Sequence, residues 1–485
     1  MAPIFPSPMR SQKRVGHFSF KEQVAGRVAH ACRAYRDQRF ANKHNMGNRF
    51  ELGSLDTSRE VHAGLLDHQV SSIITENSIR IAFMNFSLSN EHQMAQKMVR
   101  DFAQKEIAPV IKEYDRKQEP IPFALKRMGE LGILGICFPI RYGGQGMDYI
   151  SWGLACEELE AMDTSLRVAM SVHTGLCSMS LFQWGTEEQK QKFLIPLAKG
   201  EKIGCGAFTE PGMGSDVAAM TTSAKRNGDH YIFNGEKMWI SLASKADLVL
   251  VTVKTNPSAR KASDGLSSFI VDLHSDGVKT GDLHGKLGVR AGATGWISFT
   301  DVKVPVGNRI GQEGEGFKIT MTGFDHGRYT VASGATGIIR AAFEASVNYA
   351  KGRKTFGKPI AEHQLIQEKI AKMSQDYEIA RLLYLQAGWM KNEGKRPTRE
   401  TSFAKKFATE ASFSAANEAI QIHGAYGFSD EYDVERYLRN SKGAMIYEGS
   451  SEIQTLIQAG YALGERVDKP LRCELPAYDE AFWHG

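Results

Sequence analysis

The hydrophobic period of this chain changes twice, and those two changes limit what it can fold into. From Ser89, apolar residues recur at helical spacing: Met94, Met98 and Phe102 fall four apart, flanked by Val99 and Ala103, until Pro109 interrupts. Further helical patterns cover 122–131, 151–161, 169–184 and, after the Gly185-Thr186 start signal, 187–198. Near Gly204 the period becomes that of strands. His230 to Ile240 holds two strand-like runs around Asn234-Gly235, which reads as a β-hairpin. More β-rich runs follow at 248–253, 267–273 and 296–300, separated by Gly- or Ser-rich turns. After Gly311-Gln312-Glu313-Gly314-Glu315-Gly316 the helical period returns over about 317–352, 361–393, 399–424 and 433–442, with a last helix starting near Ser450. Short connections such as 394–397 suit an up-and-down bundle. The expected class is α+β: a helical domain over 84–204, a β domain over 205–310 and a helical bundle over 311–470, with a tail from 471 to 485. Tyr142-Gly143-Gly144-Gln145-Gly146 has no strand before it and reads as a turn, not a phosphate loop.

Residues 1–83 stand apart. Met1 to Arg36 is basic and lacks sustained periodicity, which fits either an Arg-rich transit peptide or an unstructured leader before a start at Met84. Asp37, Glu51, Asp56, Glu60 and Asp67 spoil the acid-poor pattern of transit peptides, so the second reading is preferred. It favours a bacterial cytoplasm over a mitochondrial matrix.

Composition excludes several classes of function. A net charge of +5 with interspersed signs gives no reason to expect a nucleic-acid partner. Six cysteines without a CxxC pair argue against a disulfide framework and a zinc site, and point to a reducing compartment with no metal. The longest apolar runs fall short of the roughly 18 residues that a membrane span needs.

Four segments carry candidate chemistry. In Met445-Ile446-Tyr447-Glu448-Gly449-Ser450-Ser451-Glu452-Ile453, a carboxylate sits on a tight turn just before a helix. Glu448 is then either a positioned base or a helix-start acid favoured by the dipole. In Thr209-Glu210-Pro211-Gly212-Met213-Gly214-Ser215-Asp216, backbone N–H groups and the Thr209 and Ser215 hydroxyls can converge on an anion or a polar ring, or simply form the loop that opens the β domain. Arg353-Lys354-Thr355-Phe356-Gly357, with Gln364 eleven residues after Arg353, is either a solvated helix end or a phosphate clamp. Gln421-Ile422-His423-Gly424 is a glycine-rich helix end, and His423 receives no catalytic role.

These segments, with Asn234-Gly235-x-Lys237-x-Trp239-Ile240-Ser241, occur in one order that closely resembles the acyl-CoA dehydrogenase family over about 84–465. The resemblance implies an α-helical N-terminal domain, a β-barrel middle domain and a C-terminal four-helix bundle. It implies FAD as cofactor, an acyl-CoA substrate, electron-transfer flavoprotein as acceptor, and a homotetramer built as a dimer of dimers. By the same resemblance Phe208, Thr209, Gly214, Ser215, Trp239 and Ser241 hold the flavin and its phosphates. Arg353, Phe356, Gln364, Gln421 and Gly424 reach the FAD of a neighbouring subunit, with Ser450 and Glu452 near its adenosine half. Glu448 is the base that removes the α-proton while the β-hydride leaves for the flavin, and its backbone N–H helps to bind the thioester carbonyl. Desolvation is expected to raise its pKa.

Two branches of the family carry the base on the helix that here reads Asp325-His326-Gly327-Arg328, where Gly327 cannot serve. Asp325 and Arg328 are then candidate CoA contacts, or a helix-surface ion pair. Ser215 and Gly449 are candidate substrate contacts. Arg167 and Ser171 resemble the pair that glutaryl-CoA dehydrogenases offer to a distal carboxylate, but Gly449-Ser450-Ser451-Glu452-Ile453 departs from the Gly-Thr-His-Asp-Ile of those enzymes. An unbranched short- or medium-chain acyl-CoA is the expected substrate, with glutaryl-CoA second. An acyl-CoA oxidase, usually longer, and a non-catalytic member of the superfold are the remaining alternatives.

Overall fold

The computed structural model describes residues 87–467. The leader over 1–83, the tail from 471, Cys32 and Cys473 lie outside the described residues.

Helix α1 (Asn90–Phe102) starts where the sequence places it. The Ser89 side chain accepts the His92 N–H, and the His92 ring accepts the Ser89 N–H, closing a capping box. A π turn (Ala103–Ile107) precedes Pro109, and a short α2 (Ile111–Lys117), not foreseen in the sequence, follows it. Then come α3 (Ala124–Glu130) and α4 (Tyr149–Met162), the latter capped by Asp148. Helix α4 is buried on every face, so its sequence carries no polar stripe. The expected helix over 169–184 begins earlier, at α5 (Thr164–Met170), passes through a π segment (Ser171–Ser178) and ends as α6 (Met179–Trp184). Thr186 caps α7 (Glu187–Gln189), which runs through a π turn (Lys190–Leu194) into α8 (Ile195–Ala198).

The middle domain is one eight-stranded sheet: β1 (Gly204–Ala207), β2 (Ser223–Asn227), β3 (His230–Ser241), β4 (Leu248–Lys254), β5 (Leu266–Asp272), β6 (Val278–Asp282), β7 (Thr294–Pro305) and β8 (Arg309–Ile310). The hydrogen-bonded order is β6-β7-β3-β2-β4-β5-β8, with β1 parallel to β4. One expectation fails here. Asn234-Gly235 is not a hairpin turn but a bulge inside a single twelve-residue β3, where the register against β7 shifts between Phe233 and Gly235. The residues on both sides of the bulge pair with the same partner strand, which overrides the local turn preference. Asn234 uses its amide to bridge β7, donating to Asp301 Oδ1 at 3.0 Å and accepting the Asp301 N–H at 3.0 Å. The actual turn is Gly228-Asp229, since Asn227 pairs with His230.

The C-terminal part is built on α9 (Gly316–Gly352), α10 (Gln364–Asn392) and α11 (Thr398–His423), with α12 (Val434–Ala444) and α13 (Ser451–Ala462) laid against α11. Alanines at 335, 342, 408, 411, 415 and 419 line their shared core and allow close helix approach. Helix α9 is the spine of the molecule, touching α4, the sheet through β5, and α11. Between α9 and α10, β9 (Lys354–Thr355) and β10 (Lys358–Pro359) form a two-residue hairpin that presents Phe356 to solvent, 96% exposed. No helix among the described residues is long and apolar enough to cross a membrane.

Candidate active site

Glu448 occupies the turn between α12 and α13. Both Glu448 (φ +55°) and Gly449 (φ +85°) are left-handed, which throws the Glu448 side chain off the helical path. For a glutamate this conformation costs on the order of 1–3 kcal/mol, and the surroundings hold it. Gly449 O accepts Lys405 Nζ at 2.8 Å and Gln454 Nε2 at 3.0 Å. Glu448 O accepts Arg328 Nε at 3.4 Å. Ser450 caps α13, and the Ser451 N–H returns to Met445 O at 3.0 Å. With its carbonyl neighbours pinned, the Glu448 N–H finds no acceptor among the described residues.

The carboxylate faces α9. Its Oε1 accepts the Ser171 hydroxyl at 3.1 Å, while Oε2 is buried without a partner. A Cβ built on Gly327 would lie 1.8 Å from that Oε2. Position 327 is therefore the seat of the carboxylate, and the two places where the resemblance puts a base meet at one point. Burial pushes the Glu448 pKa up, against the pull of Arg167, the Ser171 hydroxyl, Lys405 and Arg328. A half-buried glutamate with one buried, unpartnered oxygen and a raised pKa is suited to take a proton.

The nearby cations are mostly committed. Arg167 is fully buried and forks onto buried Glu160, through Nε to Oε2 and through Nη2 to Oε1 at 3.2 Å; Nη2 also reaches the Tyr447 hydroxyl at 2.6 Å. Its Nη1 is buried with no partner. Arg328 pairs with Asp325 at 3.3 Å, and Asp325 also binds Arg396 at 3.1 Å and Thr398 at 3.3 Å. Asp325 and Arg328 thus form a buried network behind Glu448. Lys405, fully buried on α11, has its pKa lowered to about 7 by desolvation, with the Glu448 charge opposing the shift.

A second group of sequence motifs converges through a buried ion pair. Glu210 accepts Lys237 Nζ at 2.9 Å, the Thr221 N–H at 2.6 Å and hydroxyl at 2.7 Å, and the Thr222 N–H at 2.9 Å. Lys237 also donates to Phe208 O at 3.0 Å. Burial works against ionised Glu210, but Lys237 and the Thr221 bonds outweigh it and hold its pKa near 2. The pair fixes the 208–216 loop to β3, where the Met238 N–H donates to Thr209 O at 2.9 Å. Trp239 projects from this strand with φ +62° and is 61% exposed. No atom lies within 4 Å of a Cβ built on Gly212 or Gly214, and the Thr209, Ser215 and Ser241 hydroxyls have no hydrogen-bond partner among the described residues. An exposed indole plane beside an open loop with free donors fits a flat ring system with a polar edge, as FAD has. Phe208 meets Phe324 edge-on at 5.3 Å, and Arg328 lies 5.9 Å from the Phe324 ring, so this cradle adjoins the Glu448 pocket along α9.

A third group lies together elsewhere. Arg353, at the end of α9, reaches over Tyr426 at 6.0 Å, and both line a cavity of about 730 Å³ with His423. Gln421 and Gly424 lie at the same end of α11 as His423, while Phe356 and Gln364 sit exposed on the β9–β10 hairpin and at the start of α10. No hydrogen bond or ring contact among the described residues joins Arg353 or Tyr426 directly to Glu448. Ser450 caps α13, and Glu452 is exposed in its first turn. Sequence reasoning missed Lys405, Thr330, Glu160 and the seat function of Gly327. Only Gly327 had a signal, its place beside Arg328.

The chain matches three family descriptions in succession: acyl-CoA dehydrogenase N-terminal domain over residues 89–201, middle domain over 205–302 and C-terminal domain over 314–462. It is 44% identical over 379 residues to the probable acyl-CoA dehydrogenase YngJ of Bacillus subtilis, covering 78% of this chain and 99% of that protein. It is 40% identical to the short-chain specific acyl-CoA dehydrogenase of Clostridium acetobutylicum, covering 78% and 99%. Among solved structures, butyryl-CoA dehydrogenase from Megasphaera elsdenii superposes with a TM-score of 0.77 at 38% identity, over 78% of this chain and all of that one. A helical, sheet and helical order, an acid with a buried unpartnered oxygen near an open aromatic cradle, and these matches over residues 89–462 lead to one assignment: the chain belongs to the acyl-CoA dehydrogenase family.

Proposed function

We propose that this protein desaturates a short, unbranched acyl-CoA between Cα and Cβ, with Glu448 as the base that takes the α-proton. The observation that carries this reading is the buried, unpartnered Oε2 of Glu448. Bound FAD would supply the acceptor for the hydride that leaves Cβ. Phe208, Thr209, Gly214, Ser215, Trp239 and Ser241 would hold its ring end. Arg353, Phe356, Gln364, Gln421 and Gly424 would reach the FAD of a second copy, with Ser450 and Glu452 near the adenosine, which requires at least a dimer; the family resemblance pairs two such dimers into a homotetramer.

The chain's own work is positional. Lys405, Gln454 and Arg328 hold the carbonyls of the Glu448-Gly449 turn, so that the free Glu448 N–H can donate to the thioester oxygen and stabilise enolate character. Gly449 leaves room for Gln454, whose Nε2 would lie 2.7 Å from a Cβ there, and Gly327 leaves room for the carboxylate. We assign electron-transfer flavoprotein as acceptor and a bacterial cytoplasm as compartment; bacterial relatives at 40–44% identity support the latter, and the free thiols of Cys137, Cys156, Cys177 and Cys205 suit any reducing compartment.

Arg167 separates the two substrate readings. Its charge is matched by Glu160, so a distal carboxylate would meet Glu160 as well, which favours a plain acyl chain. Its unpartnered Nη1 is the one observation that favours glutaryl-CoA. The test is anaerobic flavin bleaching by the purified protein across an acyl-CoA panel. Butyryl-CoA should bleach it, and Glu448→Gln should abolish bleaching. Protein that cannot take up FAD would sink the reading, and carbon dioxide release from glutaryl-CoA would reverse the substrate choice.

A further inference from the structure

Two buried hydroxyls connect the Glu448 carboxylate to the backbone of its own seat. Ser171 Oγ lies 3.1 Å from Glu448 Oε1 and 2.6 Å from Thr330 Oγ1. Thr330 Oγ1 in turn lies 2.8 Å from the carbonyl oxygen of Gly327. Ser171 and Thr330 are both fully buried, so bulk water does not reach them. The arrangement has three gaps and only two hydroxyl protons, because a carbonyl and an ionised carboxylate can only accept. One gap must always be empty.

Which gap is empty depends on Glu448. When the carboxylate is charged, the strongest acceptor is Oε1, so Ser171 donates to it and Thr330 donates to Ser171. The empty gap then falls at Gly327 O, which loses little because a helical carbonyl already has its backbone donor. When a proton arrives on the open Oε2, Oε1 becomes an ordinary neutral acceptor. Ser171 can then turn to Thr330 at the shorter distance, and Thr330 to Gly327 O. The empty gap moves to the Glu448 end.

From this geometry we infer that Ser171 and Thr330 act as positioning residues, a two-proton relay that points toward Glu448 while it is a base and turns away once it has taken the α-proton. No proton enters or leaves the relay; two O–H bonds rotate. Both hydroxyls stay satisfied on either side of the proton transfer, so the step leaves no stranded buried donor. The inference rests on Glu448 being the base. The ionisable groups facing the carboxylate are Arg167 with Glu160 from the first helical domain, Cys156 on α4, Tyr447 on its own turn, Arg328 on α9 and Lys405 on α11. All remain in place in the variants below.

The test uses the holoenzyme and infrared difference spectra between acid and neutral pH, with the Glu448 carbonyl band identified by its loss in Glu448→Gln. Ser171→Ala removes the donor that only the anion uses, so the midpoint of that band should move up by about one pH unit, with its frequency unchanged. Thr330→Val leaves the carboxyl group as the only side-chain acceptor that Ser171 meets, so the band of the protonated acid should fall in frequency. Thr330→Ser should restore the wild-type frequency. An unmoved midpoint in Ser171→Ala, or an unmoved frequency in Thr330→Val, overturns the relay. Should Glu448→Gln still bleach with butyryl-CoA, it is the base assignment that fails; should Glu448→Gln block bleaching while the band is insensitive to both hydroxyls, the relay alone fails.

Discussion

Replacing Gly327 with alanine separates catalysis from stability. The added Cβ would lie 1.8 Å from Glu448 Oε2, 2.8 Å from its Cδ and 3.2 Å from Leu176 Cδ2. To reach ordinary contact the carboxyl group must retreat by more than an ångström, and it has nowhere to go but away from the α9 wall. Misplacement of a catalytic group on that scale costs about 10²-fold in rate, or about 2.7 kcal/mol of barrier. The fold should not share the loss. Gly327 lies inside α9 with ordinary helical backbone, and glycine to alanine at such a site favours the helix by about 1 kcal/mol. The expected outcome is a flavin-reduction rate about 10²-fold lower in anaerobic stopped-flow mixing with butyryl-CoA, at a thermal midpoint equal to or above that of wild type. A variant that reduces flavin at the wild-type rate would refute the seat assignment. One that loses stability in step with rate would show that Gly327 serves packing instead.

Three further outcomes are expected. Lys405 is about 7 in the folded chain against 10.5 for a free lysine, so the unfolded chain holds the extra proton between those values and stability rises with pH across that window, by up to about 1.4 kcal/mol per pH unit. Lys405→Met should flatten that rise in denaturant titrations from pH 7 to 10. Glu210→Gln should lower stability by about 3–5 kcal/mol, since it strands the buried Lys237 ammonium, and should weaken FAD retention on a desalting column. His173, buried between the Gly204 N–H on Nδ1 and Leu197 O on Nε2, has its pKa lowered to about 4 by desolvation. Its protonation in the unfolded chain near 6.5 should therefore cost stability as pH falls from about 6.5 to 4, a loss that His173→Gln should reduce in acid-unfolding curves.

Much of this architecture was written locally. Ser89 and Ser450 announced their helices because a cap needs only a few consecutive residues, and the sheet region was marked by β-branched runs. Asn234-Gly235 misled because a turn dipeptide is judged on its neighbours, whereas its fate was set by β7, some sixty residues away in sequence. Helix α2 was missed because seven residues give too little periodicity. At the site, Glu448 was legible through its motif, but Lys405 looked like one more charge on a polar stretch, Lys405-Lys406, and only the crossing of α11 behind the turn buries the first of the two. Thr330 is in the same position: a threonine inside a helix shows nothing of the serine on the π segment that meets it.

The π segment Ser171–Ser178 widens one helix by a residue per turn, and its side chains are parcelled out among three destinations. Ser171 faces Glu448, His173 binds the start of β1 at Gly204, and Thr174 donates to Leu134 O at 2.8 Å. The wider turn of a π segment, against about 100° per residue in an ordinary α-helix, sets the directions in which these three side chains leave the axis. Deleting a single residue from this segment would shift its register and rotate one address relative to the next.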